Sequence, residues 1–278
     1  MAKIFAIANQ KGGVGKTTTT VNLAAALAAL SRRVLLVDLD PQGNATMGSG
    51  IDKRSLPGSV YQLLLGLSPM SSVLRRSETG HYDVIPANRE LAGAELDLVE
   101  LERRETRLKA AIAPHLHEYD FVLIDCPPAL SLLTLNGLTA AHGVIIPMQC
   151  EYYALEGLSD LVNTIKQVHR NLNHELEIIG LLRVMFDPRS TLANQVSAQL
   201  ESHFGDKVFK TLVPRNIRLA EAPSYGMPGV VFDKSSKGAQ AYVAFAAEMV
   251  ERFLGDAPAS TVASLSPIAP EPVSEPAS

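Results

Sequence analysis

The segment NQKGGVGKTTTT, residues 9–20, constrains the fold more than any other stretch of the chain. Three glycines, Gly12, Gly13 and Gly15, with Val14 between them, stand directly before Lys16 and Thr17. Residues 4–8 ahead of them form a short apolar run, and residues 17–30 behind them form an alanine-rich helical pattern. A glycine loop between a strand and a helix lets backbone N–H groups turn inward around phosphate oxygens. The helix N-terminus adds the positive end of its dipole. Lys16 supplies a point charge to the outer phosphates, and the Thr17 hydroxyl is placed to ligate Mg²⁺. A phosphate-binding loop of this kind predicts an ATP site.

The rest of the chain repeats that alternation. Short apolar runs predict strands at 4–8, 34–38, 82–86, 121–125, 144–148 and 178–184, with a shorter one at 207–210. Helical patterns fill residues 17–30, 89–113, 130–141, 155–172, 192–204 and 239–254. The expected fold class is α/β: a doubly wound, mainly parallel sheet with helices on both faces. Tryptophan is absent and aromatic residues make up 5%, so Ala, Val, Ile and Leu must fill the core. Residues 1–255 are expected to be a single ATPase domain. Residues 256–278, rich in Pro, Ala, Ser and Glu, cannot bury enough apolar surface to offset their ordering entropy and are expected to be a disordered tail.

The net charge of −4 argues against a chain that coats nucleic acid over its whole surface, yet it permits a local basic patch. The tail carries Asp256, Glu271 and Glu275 and no basic residue, so the remainder is nearly neutral. Two cysteines without CxxC spacing, no signal-peptide pattern and no apolar run of membrane-spanning length predict a cytoplasmic protein.

Two acidic segments accompany the loop. In VLIDCPP, Asp125 ends an apolar strand, at the sheet edge that faces the ligand in nucleotide-binding folds. It is expected to hold the Mg²⁺ shell through water. In LLVDLDPQGNAT, Asp38 and Asp40 are two apart, which places them on the same side of an extended strand. Asp40 is expected to orient or deprotonate the attacking water, with a water-mediated part in the metal shell open to it, and Asp38 to support it.

Lys11 is the unusual residue. Lys16 already serves the phosphates, so a second lysine before the glycines has two readings: a solvated loop cation, or a charge delivered to the γ-phosphate held by a second copy of the chain.

At this point KGGVGKTT, DLDPQGN, IDCPP, EYYALEGL and VPRNIRLAEAPS together resemble the motifs of the ParA/Soj chromosome- and plasmid-partitioning ATPases, which carry a deviant Walker A loop. The resemblance runs from about residue 3 to about residue 253. It implies that Lys11 bridges an ATP-dependent sandwich homodimer and that Thr17 and Thr18 are the Mg²⁺ and phosphate hydroxyls. It implies that Asp40 is the switch aspartate and Asp125 the Walker B carboxylate. Pro214 and Asn216 resemble the adenine-contacting turn, and Arg189 and Arg218 match positions that contact DNA without reading sequence. A ParB-like centromere-binding partner would stimulate a slow intrinsic hydrolysis, in a nucleoid-associated cycle that uses no membrane. The departure is Met227, where relatives often carry a basic residue. Glu151 falls near the implied dimer interface without an assigned role. Two rival functions, a MinD-like membrane-cycling ATPase and a metabolic P-loop enzyme, lack a C-terminal basic amphipathic helix and a substrate motif respectively.

Overall fold

The computed structural model describes residues 2–152 and 154–255; the expected tail, 256–278, lies outside the described residues. The chain begins β1 (Lys3–Ile7), α1 (Lys16–Ala29), β2 (Val34–Asp38), α2 (Asn44–Gly48), α3 (Val60–Leu65), α4 (Met70–Val73), β3 (Arg75–Ser77) and β4 (Tyr82–Ile85). It continues α5 (Ala94–Val99), α6 (Arg107–Ile112), β5 (Phe121–Asp125), α7 (Leu132–Ala140), β6 (Gly143–Met148), α8 (Ala154–Asn171), β7 (Glu177–Phe186) and α9 (Thr191–Phe204). The last elements are β8 (Val208–Pro214), α10 (Ile217–Glu221), α11 (Gly229–Phe232) and α12 (Lys237–Leu254).

Eight strands form one sheet in the order β3-β4-β2-β5-β1-β6-β7-β8. All neighbours are parallel except β3, which runs antiparallel to β4 at one edge. The central strands β1, β2, β5 and β6 are apolar runs because both faces are covered, as parallel sheets require. Alternate residues divide between two cores. Ile4 and Ala6 join α3, α5–α9 on one face; Phe5 and Ile7 join α1, α11 and α12 on the other.

The expected strands are all present, and β8 runs on to Pro214 beyond the expected 207–210. The strand β3 and the short helices of residues 44–73 carry no periodicity long enough to read from the sequence. The helical pattern at 89–113 is not one helix. It breaks into a 3₁₀ turn, α5, a second 3₁₀ turn at Arg104–Thr106, and α6. The cause is a side chain from α7. In a continuous helix the Leu108 N–H would bond the Arg104 carbonyl. Instead Asn136 takes both groups, accepting from Leu108 N at 3.0 Å and donating to Arg104 O at 2.7 Å. The left-handed Arg103 (φ 52°) completes the break.

Candidate functional site

Strands β1, β2, β5, β7 and β8 all deliver their C-terminal ends to one side of the sheet, where a cavity of about 420 Å³ opens. Gly12, Gly13, Gly15, Lys16, Thr17 and Thr18 form its floor. Gly13 and Gly15 hold φ values of 74° and 76°, which a side chain would strain. Lys16 opens α1 with only 8% exposure. Its Nζ donates to the Lys11 carbonyl at 3.1 Å. Burial holds its pKa below the ordinary lysine range, against the opposing pull of Asp125 and Asp40 nearby.

Asp125 sits fully buried behind that floor. Thr17 Oγ1 donates to its Oδ2 at 2.7 Å, and Thr20 Oγ1 lies 3.1 Å from its Oδ1. Burial first, then the neighbouring Asp38, raises its pKa against those hydrogen bonds. A buried carboxylate with a threonine hydroxyl at the cavity floor is an all-oxygen donor set, which suits a hard cation such as Mg²⁺.

Strand periodicity implied that Asp38, the last residue of β2, and Asp40 share a side; they do not. The strand ends at Asp38, whose Oδ1 accepts from Asp40 N at 3.1 Å and bends the chain. Asp38 is fully buried, where its Oδ2 accepts from Thr46 N at 2.8 Å and from Thr46 Oγ1 at 2.7 Å. Thr46 Oγ1 in turn accepts from Ala87 N at 2.9 Å. Asp38 thus anchors α2 to the sheet. Asp40 lies beyond the bend and lines the cavity, its Oδ1 accepting from Gln42 N at 2.9 Å.

The opposite wall comes from the far end of the chain. Pro214 and Asn216 line the cavity, and Asn216 caps α10 by accepting from Leu219 N at 3.3 Å. Val184, Met185, Val213, Leu219, Ala220 and Tyr242 complete this wall, and Asn44 and Pro128 also line the cavity. None of these eight was expected from the sequence. Val213 and Leu219 neighbour the recognised turn, whereas nothing local marks Tyr242, which reaches the site from α12 with its hydroxyl 3.0 Å from Thr19 Oγ1.

Two residues expected to bind the nucleotide do not line the cavity. Val14 packs in the protein interior at 2% exposure, so only its backbone belongs to the loop. Lys11 points elsewhere: its Nζ meets Glu151 Oε2 at 2.6 Å, with both side chains about half exposed. Glu151, which carried no assigned role, is therefore the intrachain partner of the second lysine. Arg189 and Arg218 follow the paired ends of β7 and β8, where Phe186 stands opposite Pro214. Both are exposed and both are held by carboxylates. Arg189 pairs with Asp187, and Arg218 pairs with Glu221 at 2.9 Å and Asp233 at 3.5 Å. Among the described residues no helix is long and apolar enough to cross a membrane.

A protein-family model described as an AAA domain matches residues 2–178. The sporulation initiation inhibitor protein Soj of Bacillus subtilis is 52% identical over 249 residues, covering 90% of this chain and 98% of Soj. The chromosome partitioning protein ParA of Myxococcus xanthus is 49% identical over 263 residues, 95% of this chain and 93% of that one. A crystal structure described as cobyrinic acid a,c-diamide synthase from Mycobacterium smegmatis, with bound ADP and magnesium, is 41% identical. It superposes with a TM-score of 0.80 over 92% of this chain and 98% of its own. The glycine loop, the buried aspartate behind it and the identity along nine-tenths of the chain lead to one assignment: this chain belongs to the ParA/Soj family of chromosome-partitioning P-loop ATPases.

Proposed function

We propose that the chain is an ATP-driven switch that segregates replicated DNA. ATP enters the cavity with its phosphates on the loop from Gly12 to Thr18 and its base against the turn of Pro214 and Asn216. Thr17 and, through water, Asp125 hold Mg²⁺, which neutralises charge on the phosphates. Asp40 orients the attacking water, with Asp38 and Thr46 fixing the bend that presents it. The observation that carries the reading is the divergence of the two loop lysines. Lys16 lies at the cavity floor, whereas Lys11 is outside it and half exposed. A lysine so placed reaches the phosphates of a facing copy, stabilising charge that develops during hydrolysis. Two loaded copies then close into a homodimer whose paired basic surfaces bind DNA through phosphates rather than bases, holding it at the nucleoid. Hydrolysis, accelerated by a ParB-like partner, separates the copies and releases the DNA.

The name of the M. smegmatis neighbour offers a second reading, an enzyme acting on a large second substrate. The higher identity to Soj and ParA, 52% and 49% against 41%, favours the switch.

The test is size analysis with and without ATP and Mg²⁺ on Asp40→Ala, with phosphate release measured alongside. The variant is expected to form a persistent dimer and to lose turnover by about 10²-fold or more. A wild-type chain that stays monomeric when saturated with a non-hydrolysable ATP analogue and Mg²⁺ contradicts the scheme.

A further inference from the structure

The nucleotide-binding half of that reading, on which this inference rests, needs backbone N–H groups of the loop turned toward the phosphates. Packing does not arrange this at Gly13. A Cβ built on Gly12 or Gly13 would meet nothing within 4 Å. Gly13 holds φ 74° and, as a glycine, can rotate the peptide that follows it at little steric cost. A peptide rotated the wrong way would present its carbonyl oxygen to a phosphate, which repels it. A hydrogen bond has to fix what sterics leave open.

That bond comes from the segment 147–151, the end of β6 and the residues after it. Gln149 stands outside the cavity and directs Nε2 at Gly13 O, 3.5 Å away, and at Met185 Sδ, 2.9 Å away. One amide group thus meets two acceptors, which sets its nitrogen rather than its oxygen toward the loop. Among the described residues every peptide bond is trans. A planar trans peptide carries its C=O and N–H on opposite sides. A Gly13 carbonyl turned out to Gln149 therefore turns the Val14 N–H the other way, to the side on which the loop lines the cavity. Among the described residues that N–H has no acceptor.

Two further observations tie Gln149 to the loop. Met185 lies in β7 at φ 51°, the left-handed region that a residue with a side chain occupies only under constraint, and it lines the cavity. Its Cε is 3.9 Å from the position of a Cβ on Gly15. The strained residue thus places a sulfur acceptor beside the amide and a methyl group against the loop. The segment 147–151 is also laced to residues 9–11. Asn9 Nδ2 donates to Pro147 O at 2.8 Å, Lys11 N donates to Asn9 Oδ1 at 3.0 Å, and Lys11 Nζ meets Glu151.

We propose that Gln149 is a positioning residue for the phosphate site: its amide, backed by Met185, holds the Gly13–Val14 peptide with the carbonyl outward and the N–H facing a nucleotide phosphate. A phosphate that accepts from Val14 N–H polarises the same peptide and strengthens the bond from Gln149 to its carbonyl. Phosphate and glutamine therefore grip one peptide from its two ends.

The experiment titrates ADP with Mg²⁺, which brings phosphates without turnover, into full-length wild type and Gln149→Met by calorimetry. Methionine keeps the length of the side chain and removes both donors. Loss of this bond is expected to weaken ADP affinity about tenfold. The second readout is the amide proton resonance of Val14, which moves downfield when its N–H meets a phosphate oxygen. In Gln149→Met saturated with ADP that displacement should shrink. A merely structural glutamine would lower the melting temperature and leave the displacement whole. Where Gln149→Met melts below wild type, Gln149→Asn, which keeps the amide but withdraws it by one methylene, is measured in the same two ways with the same losses expected. Wild-type ADP affinity in the folded variant, or an unchanged Val14 displacement at saturation, overturns the inference while the loop assignment stands. A wild-type chain that takes up no ADP overturns the loop assignment and the inference with it.

Discussion

Lys11 and Lys16 belong to one loop and end in different surroundings, and their energetics differ accordingly. Lys16 is a buried cation whose Nζ bonds a loop carbonyl, so the loop is held together by the charge proposed to meet the phosphates. Lys16→Ala removes that charge and is expected to weaken nucleotide affinity by at least 100-fold in a calorimetric titration; parent-like affinity would refute the assignment of the loop. Lys11 is in an exposed pair with Glu151, an arrangement worth at most about 1 kcal/mol. Lys11→Ala should therefore leave urea-induced unfolding within about 1 kcal/mol of wild type, while ATP no longer produces a dimer on size analysis. A stable, dimerising variant would return Lys11 to the role of a solvated loop cation. The glycines and Lys16 could be placed from the sequence because their chemistry is local. The Glu151 contact could not, because it joins residues 140 positions apart.

At the scale of elements, α2 shows how a short segment serves the site. It has five residues and no length to be stable alone, yet Thr46 bonds Asp38 with both its N–H and its hydroxyl and receives Ala87 N. Thr46→Val keeps the shape, leaves the buried Ala87 amide without its acceptor and removes one of the hydrogen bonds to the buried Asp38 carboxylate. The expected cost is on the order of 2–3 kcal/mol in chemical denaturation, with slower phosphate release because the bend carrying Asp40 loosens. The long elements were legible because period and length agree, as in α8, α9 and α12. The region 89–113 was not, because Asn136, from a helix that follows it, takes the two groups of the helical bond from Leu108 N to Arg104 O. Periodicity reports which face is apolar; it does not report a side chain arriving from elsewhere.

At the scale of the molecule, the mainly parallel sheet and its two covered faces followed from strand–helix alternation, whereas the strand order with its antiparallel edge strand did not; the cavity followed from the shared direction of the parallel strands. The apolar wall did not, since Val184, Met185 and Tyr242 are ordinary core residues until the last helix packs beside the first. That packing depends on hydrogen bonds across the chain. Asn22 Oδ1 accepts from Val230 N at 2.9 Å, and Thr19 meets the Tyr242 hydroxyl inside the core. Tyr242→Phe should cost about 1 kcal/mol in thermal or urea unfolding and weaken ATP binding only modestly. A chain ending at residue 236 should instead retain no measurable nucleotide, because it lacks the helix that closes the wall. Translation runs from the glycine loop toward that helix. A growing polypeptide therefore exposes its phosphate cradle on the ribosome long before it owns a place for the base. In the proposed cycle, only a finished copy takes up fuel, and only finished copies are recruited into pairs.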